Sequence, residues 1–278
     1  MRPTRTVTNL LGQQVTVFCN DHVGDRIAKR GMYEKENIAL LLTLLDQIHK
    51  PVVLDIGANI GNHSLAFATR AAQVHAFEPI PEIQALLRQN VEQNALQNVT
   101  LHAVALSDTD GQADIHMVQD GNIGASSFDK PHDNVERISV PKRRGDTLLE
   151  ALQLPGVDLV KIDVEAHEAY VLRGLMQTLT RYKPFITMEW NDPLTIERLS
   201  GSAELQFLFE HYQVWVLGNN GDRGWWEGKA FPFLRRKWIR MFKPREAVLY
   251  PFNPARVYKN LLLVPKGKEG VMRLFRHR

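Results

Sequence analysis

An α/β fold built on a parallel, twisted sheet follows from three observations. Short apolar runs alternate with segments of helical periodicity from residue 34 to residue 190. The first fully buried run, Val52–Ile56 (VVLDI), is followed at once by Gly57 and Gly61. The next run ends on an acid, Glu78, in HAFEP. Strands joined by helices run parallel with both sheet faces covered, and such sheets bind ligands at the carboxyl ends of their strands.

Gln14–Phe18 (QVTVF) reads as a short strand. Residues 34–50 (EKENIALLLTLLDQIHK) carry apolar side chains at helical spacing with acids in the first turn, so they predict a helix that stops before Pro51. After the Val52–Ile56 strand, Asn62–Arg70 opens a helix. Gln73–Phe77 is a second strand and Pro81–Asn94 a second helix, with Pro81 suited to its first turn. Val99–Ala105 is the third strand. QADIHMV and RISVPKR, on either side of a Gly/Ser/Asn/Asp loop, predict a β excursion between Ser107 and Arg144. Thr147–Leu152 is a short helix, Asp158–Val164 a buried strand, Glu168–Leu179 a helix and Phe185–Trp190 a strand. Ala203–His211 is helical, and Gln213–Leu217 with Lys259–Val264 form a final antiparallel pair.

The 278 residues are 44% hydrophobic and 23% charged, which fits one large α/β domain with elaborations. No apolar run approaches the roughly 20 residues of a membrane helix, and the basic start MRPTRTVTNLLGQQ lacks a signal-peptide apolar stretch. Cys19 is the only cysteine, which rules out an intrachain disulfide and fits a reducing compartment; it reads as a packing residue beside an early strand. The expected location is the cytoplasm. The net charge of +3 divides into −6 over residues 1–200 and +9 over residues 201–278. The C-terminal quarter therefore has its own purpose.

Gly57 and Gly61 allow a tight turn and close approach of the chain to a ligand. Their spacing is G-x-N-x-G, which departs from the G-x-G-x-x-G dinucleotide fingerprint and argues against a nicotinamide dehydrogenase. A carboxylate at Glu78 can accept both hydroxyls of a ribose. Four stretches then occur in order: VVLDIGANIGNHSL, HAFEPIPE, NALQNVTLHAVALSDTDG and LVKIDVEAHEAYVLRG. Together they resemble the FkbM family of S-adenosylmethionine-dependent methyltransferases over about residues 25–192.

The resemblance implies a Rossmann-like class I methyltransferase fold: a seven-stranded, mostly parallel sheet with a reversed last strand, helices on both faces, and here a basic C-terminal elaboration. It implies methyl transfer to a hydroxyl of a sugar or natural product. The expected parts are a strand and helix in 1–50 covering the cofactor site, a cofactor-binding core in 51–218, a basic aromatic insertion or lid in 219–258, and a last strand with basic tail in 259–278. Gly57, Asn59, Gly61 and Asn62 would line the methionine and ribose end of S-adenosylmethionine, with Asp55 supporting the loop or meeting the methionine amine. Glu78 would bind the ribose. Ala105, Leu106 and Ser107 would close the third strand where the adenine lies, with Asp108 either helping or capping its turn. Tyr33-Glu34 matches a family pair that folds over the cofactor, or Glu34 serves as a helix N-terminal acid.

Asp163, Glu165, His167 and Glu168 crowd the end of the fourth strand in KIDVEAHE. Asp163 and Glu165 share a face if the strand continues, and Lys161 two residues earlier can partner them. Three acids so close repel, so one holds a proton or a cation sits among them. Methyl transfer to a hydroxyl needs the acceptor aligned and its proton removed. Asp163 and Glu165 are the first candidates for that work, with His167 an alternative base. The other reading gives Asp163 to the cofactor methionine and Glu168 to a helix start. The family pattern has glycine where Ala166 stands. Glu189, in FITMEWND, reaches the same crevice; with Asp163 it can hold a divalent ion through oxygen ligands. Sugar-hydroxyl binding is preferred to a metal because the sequence displays no tight ligand cluster. Trp190 either stacks on a sugar or fills the core.

RGWWEGKAFPFLRRKWIRMFKPR, residues 223–245, holds six Lys/Arg and no acid between Arg235 and Arg245, with aromatics interleaved. It suits an anionic membrane surface at the inner face, an anionic glycan or nucleic-acid phosphates, and equally a lid with solvated basic residues. The expected partner is a saccharide or glycolipid. A nucleic-acid-modifying methyltransferase and a noncatalytic binding protein of the same fold are the alternatives. The absence of an Asn-Pro-Pro-Tyr or paired-cysteine motif counts against the first, and the presence of both Asp163 and Glu165 against the second.

Overall fold

A computed structural model describes residues 2–117, 137–222 and 245–275. The chain opens with an antiparallel hairpin, β1 (Thr4–Thr8) and β2 (Gln14–Phe18), which the sequence announced only in its second half. Helix α1 (His22–Arg30) follows, capped by the Asp21 carboxylate, which accepts from the Gly24 amide. Gly31 closes α1 in the left-handed conformation. Helix α2 (Lys35–Leu45) is apolar nearly all round, which suits a helix buried on a sheet face.

The alternating unit then runs β3 (Val52–Ile56), α3 (Asn62–Ala68), β4 (Gln73–Phe77), α4 (Pro81–Gln93) and β5 (Val99–His102). The expected third strand stops at His102. The chain turns there, with the Val104 amide on the His102 carbonyl, and Ala105, Leu106 and Ser107 form a separate strand, β6. Strand β6 pairs with β8 (Arg137–Arg144), which also pairs with β7 (Gly111–His116), giving a small three-stranded sheet. The β excursion is therefore a second sheet rather than an extension of the first.

Helix α5 (Gly145–Leu152) leads to β9 (Leu159–Ile162). The single helix expected from Glu168 is two, α6 (Glu168–Gly174) and α7 (Met176–Tyr182). Gly174 lies against β6 so closely that a Cβ would sit 1.9 Å from the Ser107 carbonyl oxygen. Asp146, from α5, caps the new start by accepting from the amides of Gln177 and Thr178. Then come β10 (Phe185–Trp190), α8 (Pro193–Leu199), α9 (Ala203–His211), β11 (Tyr212–Asn219), β12 (Ala247–Pro251) and β13 (Tyr258–Pro265), with a 3-10 turn over Glu269–Leu274.

Among the described residues the main sheet has eight strands in the order β12-β11-β13-β10-β9-β3-β4-β5, one more than the seven expected. Strands β10, β9, β3, β4 and β5 are mutually parallel, and β13 enters antiparallel between β10 and β11. The reversed last strand is thus present. The added strand, β12, comes from the stretch assigned to an insertion and pairs with β11 at the sheet edge. Side-chain alternation along β3 sends Leu54 and Ile56 to one core layer with α6, α7 and α9, and Val53 to the other with α2 and α3. A third cluster ties β2 and α1 to α4 and the small sheet through Val17, Ile27, Ile83 and Val140. That cluster roofs the carboxyl ends of β3 and β4. No helix among the described residues is long and apolar enough to cross a membrane. Residues 223–244, and with them nearly all of the basic aromatic segment, lie outside the described residues.

Candidate active site

A cleft of about 860 Å³, open solvent included, lies at the carboxyl ends of β3, β4, β9 and β10. Its floor begins at Gly57. This residue has φ 77°, and a Cβ there would lie 1.8 Å from the Asp163 carbonyl oxygen, so only glycine lets the two loops touch. The Gly57 and Ala58 amides both donate to the Phe77 carbonyl at 3.0 Å, which folds the loop across β4. Asn59 then takes a left-handed conformation, φ 50°, and its amide donates to Glu78 Oε2 at 3.0 Å.

Glu78 is 4% exposed, and its second oxygen accepts from the Ile80 amide at 2.9 Å. Burial pushes its carboxyl up to about 7, against the pull of those two amides. Beside it the cleft wall is apolar: Phe77, Ile80, Ile83, Leu106 and Ile115. Ala105 and Leu106 line the cleft, whereas Ser107 is fully buried behind them. Asp108 pairs with Arg173 at 3.3 Å outside the cleft lining.

The opposite part of the lining is acidic. Asp163, Glu165 and Glu189 each bring a carboxylate oxygen within 4.8 Å of the others. The tight cluster that the sequence did not display is therefore present, and the ground for setting a metal aside is gone. Burial, then Asp163 and Glu165, push the Glu189 carboxyl up to about 9. Glu165 and Ala166 sit at φ 50° and 76°, so the alanine in the glycine place holds a left-handed conformation, pinned by Arg198, which donates to its carbonyl at 2.9 Å. His167 lines the cleft with its Nε2 3.1 Å from the Ser107 hydroxyl and its ring stacked on Tyr170. Glu168 faces inward to α8, accepting from Thr195 and from the Val164 amide.

Several expected cofactor residues stand behind the lining. Asp55 is fully buried; it accepts from the Ser64 hydroxyl at 2.6 Å and meets Lys161 Nζ at 3.1 Å, the supporting rather than the ligand-facing geometry. Gly61 starts α3, and Asn62 spends both ends of its amide on the Tyr33 backbone, at 3.2 and 3.0 Å. Glu34 does not cap α2 with its side chain; it meets Lys259 Nζ at 2.6 Å and Asn260 Nδ2 at 2.9 Å, with His63 at 3.5 Å. Burial works to raise Glu34, yet Lys259 and His63 hold it below the ordinary carboxylate range. Trp190 is core, packed edge-on to Phe252. Val23, Tyr33 and Ile115 roof the cleft from α1, the turn before α2, and β7, and sequence reasoning missed Val23 and Ile115 because nothing local marks them.

Residues 55–223 match the family model described as the methyltransferase FkbM domain. The chain belongs to this family. This FkbM methyltransferase is 33% identical over 192 residues to the 2-O-methyltransferase NoeI of Sinorhizobium fredii, covering 62% of the chain and 77% of the relative. It is 30% identical over 175 residues to the hexuronic acid methyltransferase AglP of Haloferax volcanii, covering 62% and 70%. A crystal structure of an FkbM methyltransferase from Methylobacillus flagellatus superposes with a TM-score of 0.42 at 16% identity, over 77% of this chain and 43% of that one. The family match and the strand order carry the fold assignment without that superposition.

The methyl donor of the family, S-adenosylmethionine, fits the residues present. Gly57 turns the chain tightly beneath the cleft, Glu78 offers a buried carboxylate that would suit a ribose, and the wall from Ile80 to Ile115 is apolar, as an adenine would require.

Proposed function

We propose that this methyltransferase moves a methyl group from S-adenosylmethionine to a hydroxyl of a saccharide, carried on a bacterial-type surface glycan, a glycolipid or a sugar-containing metabolite. The observation that carries this reading is the grouping of Asp163, Glu165 and Glu189 beside Tyr33 in the same cleft as Glu78. Carboxylates accept from sugar hydroxyls, and an aromatic ring offers a face to the sugar ring. The names of two relatives add support, one placing a methyl on oxygen and the other acting on a hexuronic acid.

A sugar hydroxyl is a weak nucleophile, so the protein must align it and take its proton. Bound S-adenosylmethionine supplies a methyl group already activated by a sulfonium. In this reading Asp163 accepts the hydroxyl proton, and Glu165 shares in holding the acceptor. Glu189, protonated at neutral pH, donates its O–H to an acceptor oxygen. Glu78 holds the ribose, while Gly57 and Asn59 shape the loop under the donor, and Ala105 and Leu106 back the adenine. His167, drawn to Ser107, belongs to this cofactor side rather than to proton removal. Residues 223–245 are assigned, on sequence alone, to an anionic glycan or lipid surface.

A second reading gives the three carboxylates to a divalent cation, which their spacing suits. Incubating the protein and methyl-labelled S-adenosylmethionine with fractionated glycans, glycolipids, RNA and protein tests the first, and repeating the incubation after dialysis against EDTA tests the second. Label in a sugar methyl ether is expected. Label in RNA or protein alone, or none in any saccharide fraction from a protein that binds S-adenosylhomocysteine, would overturn the reading.

A further inference from the structure

Lys161 stands on the core strand β9 between Val160 and Ile162, where a leucine would pack at no electrostatic cost. It is 5% exposed and does not line the cleft. Its ladder neighbour on β3 is Asp55. The ammonium has three N–H groups and meets three oxygens: the Gly57 carbonyl at 3.0 Å, Asp55 Oδ1 at 3.1 Å and Asp163 Oδ2 at 3.4 Å. Asp55 is itself anchored, its other oxygen accepting from Ser64 in the first turn of α3.

Two of those oxygens belong to the loops that build the cleft. Gly57 heads the loop under the methyl donor, and Asp163 heads the acidic loop at the acceptor end. The loops also touch through the backbone, because the Asp163 amide donates to the Ile56 carbonyl at 3.0 Å. The ammonium, carried on the rigid strand β9, therefore sets both the direction of the Gly57 carbonyl and the place of one Asp163 oxygen, while Asp55 balances its charge. Burial works to lower the lysine, yet Asp55 and Asp163 hold the amine above its ordinary range, so it keeps its charge.

We propose that Lys161 is a positioning residue that couples the donor loop to the acceptor-side carboxylate, holding Gly57 and Asp163 in the arrangement that methyl transfer requires of both at once. This rests on the methyl-transfer reading above. It acts through its partners and touches neither reactant.

The test is calorimetric binding of S-adenosylhomocysteine, which needs no acceptor, together with thermal unfolding of the free protein. Lys161→Met alone leaves Asp55 buried without its cation and is expected to unfold easily. The double variant Asp55→Asn/Lys161→Met removes both charges and is expected to melt cooperatively, yet to bind at least fivefold more weakly well below its melting temperature. The single variant Asp55→Asn keeps the bonds from Lys161 to Gly57 and Asp163, and should bind within fivefold of wild type. A folded double variant that binds within fivefold of wild type would sink the proposal, since a merely structural lysine leaves affinity alone. Equal losses in Asp55→Asn and the double variant would assign the effect to Asp55 and sink it too. A wild type that fails to bind S-adenosylhomocysteine would instead remove the methyl-transfer reading itself.

Discussion

Replacing Glu78 with glutamine should stabilise the free protein at alkaline pH while weakening cofactor binding. The Glu78 carboxyl stands at about 7 instead of 4.5, chiefly because burial strips its water. That displacement is worth about 3 kcal/mol against the ionised form. Between those two values the folded state binds the proton more tightly than the unfolded state, so stability falls as pH rises across the window and stays low above it. Glutamine is neutral throughout and of the same shape, and its carbonyl still accepts from one of the Asn59 and Ile80 amides. Near pH 5 the two proteins should melt within about 2 °C of each other, whereas near pH 8.5 the variant should melt higher by about 5 °C. S-adenosylhomocysteine should bind the variant at least about tenfold more weakly at pH 8.5, because an amide accepts less well from two ribose hydroxyls than a carboxylate does. Paired thermal melts at the two pH values and calorimetry at the higher one decide it. A melting difference independent of pH, or a variant less stable at pH 8.5, would refute the argument.

Gly57→Ala should cost more than about 3 kcal/mol in denaturant unfolding, or abolish soluble protein, because its Cβ would lie 1.8 Å from the Asp163 carbonyl oxygen at a positive φ. Ala166→Gly should raise stability by roughly 0.5–1 kcal/mol, since it relieves a left-handed alanine at φ 76°; a loss in the same unfolding assay would count against strain there. With a saccharide acceptor in hand, wild-type turnover should fall as pH rises through about 9, where Glu189 gives up its proton. Glu189→Gln should keep activity and lose that alkaline limb, and an unchanged limb would deny the residue its donor role. Dialysis against EDTA should leave turnover intact; a loss restored by Mg²⁺ or Mn²⁺ would hand Asp163, Glu165 and Glu189 to a cation.

Strands β3, β4 and β10 begin and end where the sequence places them, because each is an apolar run bounded by a turn or a proline. Gly57, Asn59, Glu78, Asp163, Glu165 and Glu189 reach one cleft because strand ends in a parallel sheet lie side by side. What escaped reading depends on distant partners. Strand β6 separates from β5 since β8, more than 30 residues later, offers it a ladder. The break before α7 needs Asp146 as its cap. Glu34 reads either as half of a pair folding over the cofactor or as a helix-start acid, and its partners Lys259 and Asn260 stand on the last strand, beyond local reading. Asp55 takes the supporting one of its two readings, against Lys161 and Ser64, whereas Asn62 turns its polar atoms to Tyr33, a choice that spacing alone does not reveal. Glu189 joins Asp163 and Glu165 only through sheet pairing, so the closeness on which the metal alternative turns is not legible along the chain.

The grip of Lys259 on Tyr33 and Glu34 spans 226 and 225 positions of the chain. During synthesis the Tyr33 hydroxyl and the Glu34 carboxylate therefore lack this partner until β13 has been made, long after β3, β4 and β9 are available to pair. A nascent chain stopped short of β13 leaves the buried Glu34 carboxylate without its cation, so the side of the cleft next to α2 settles only once that strand is in place.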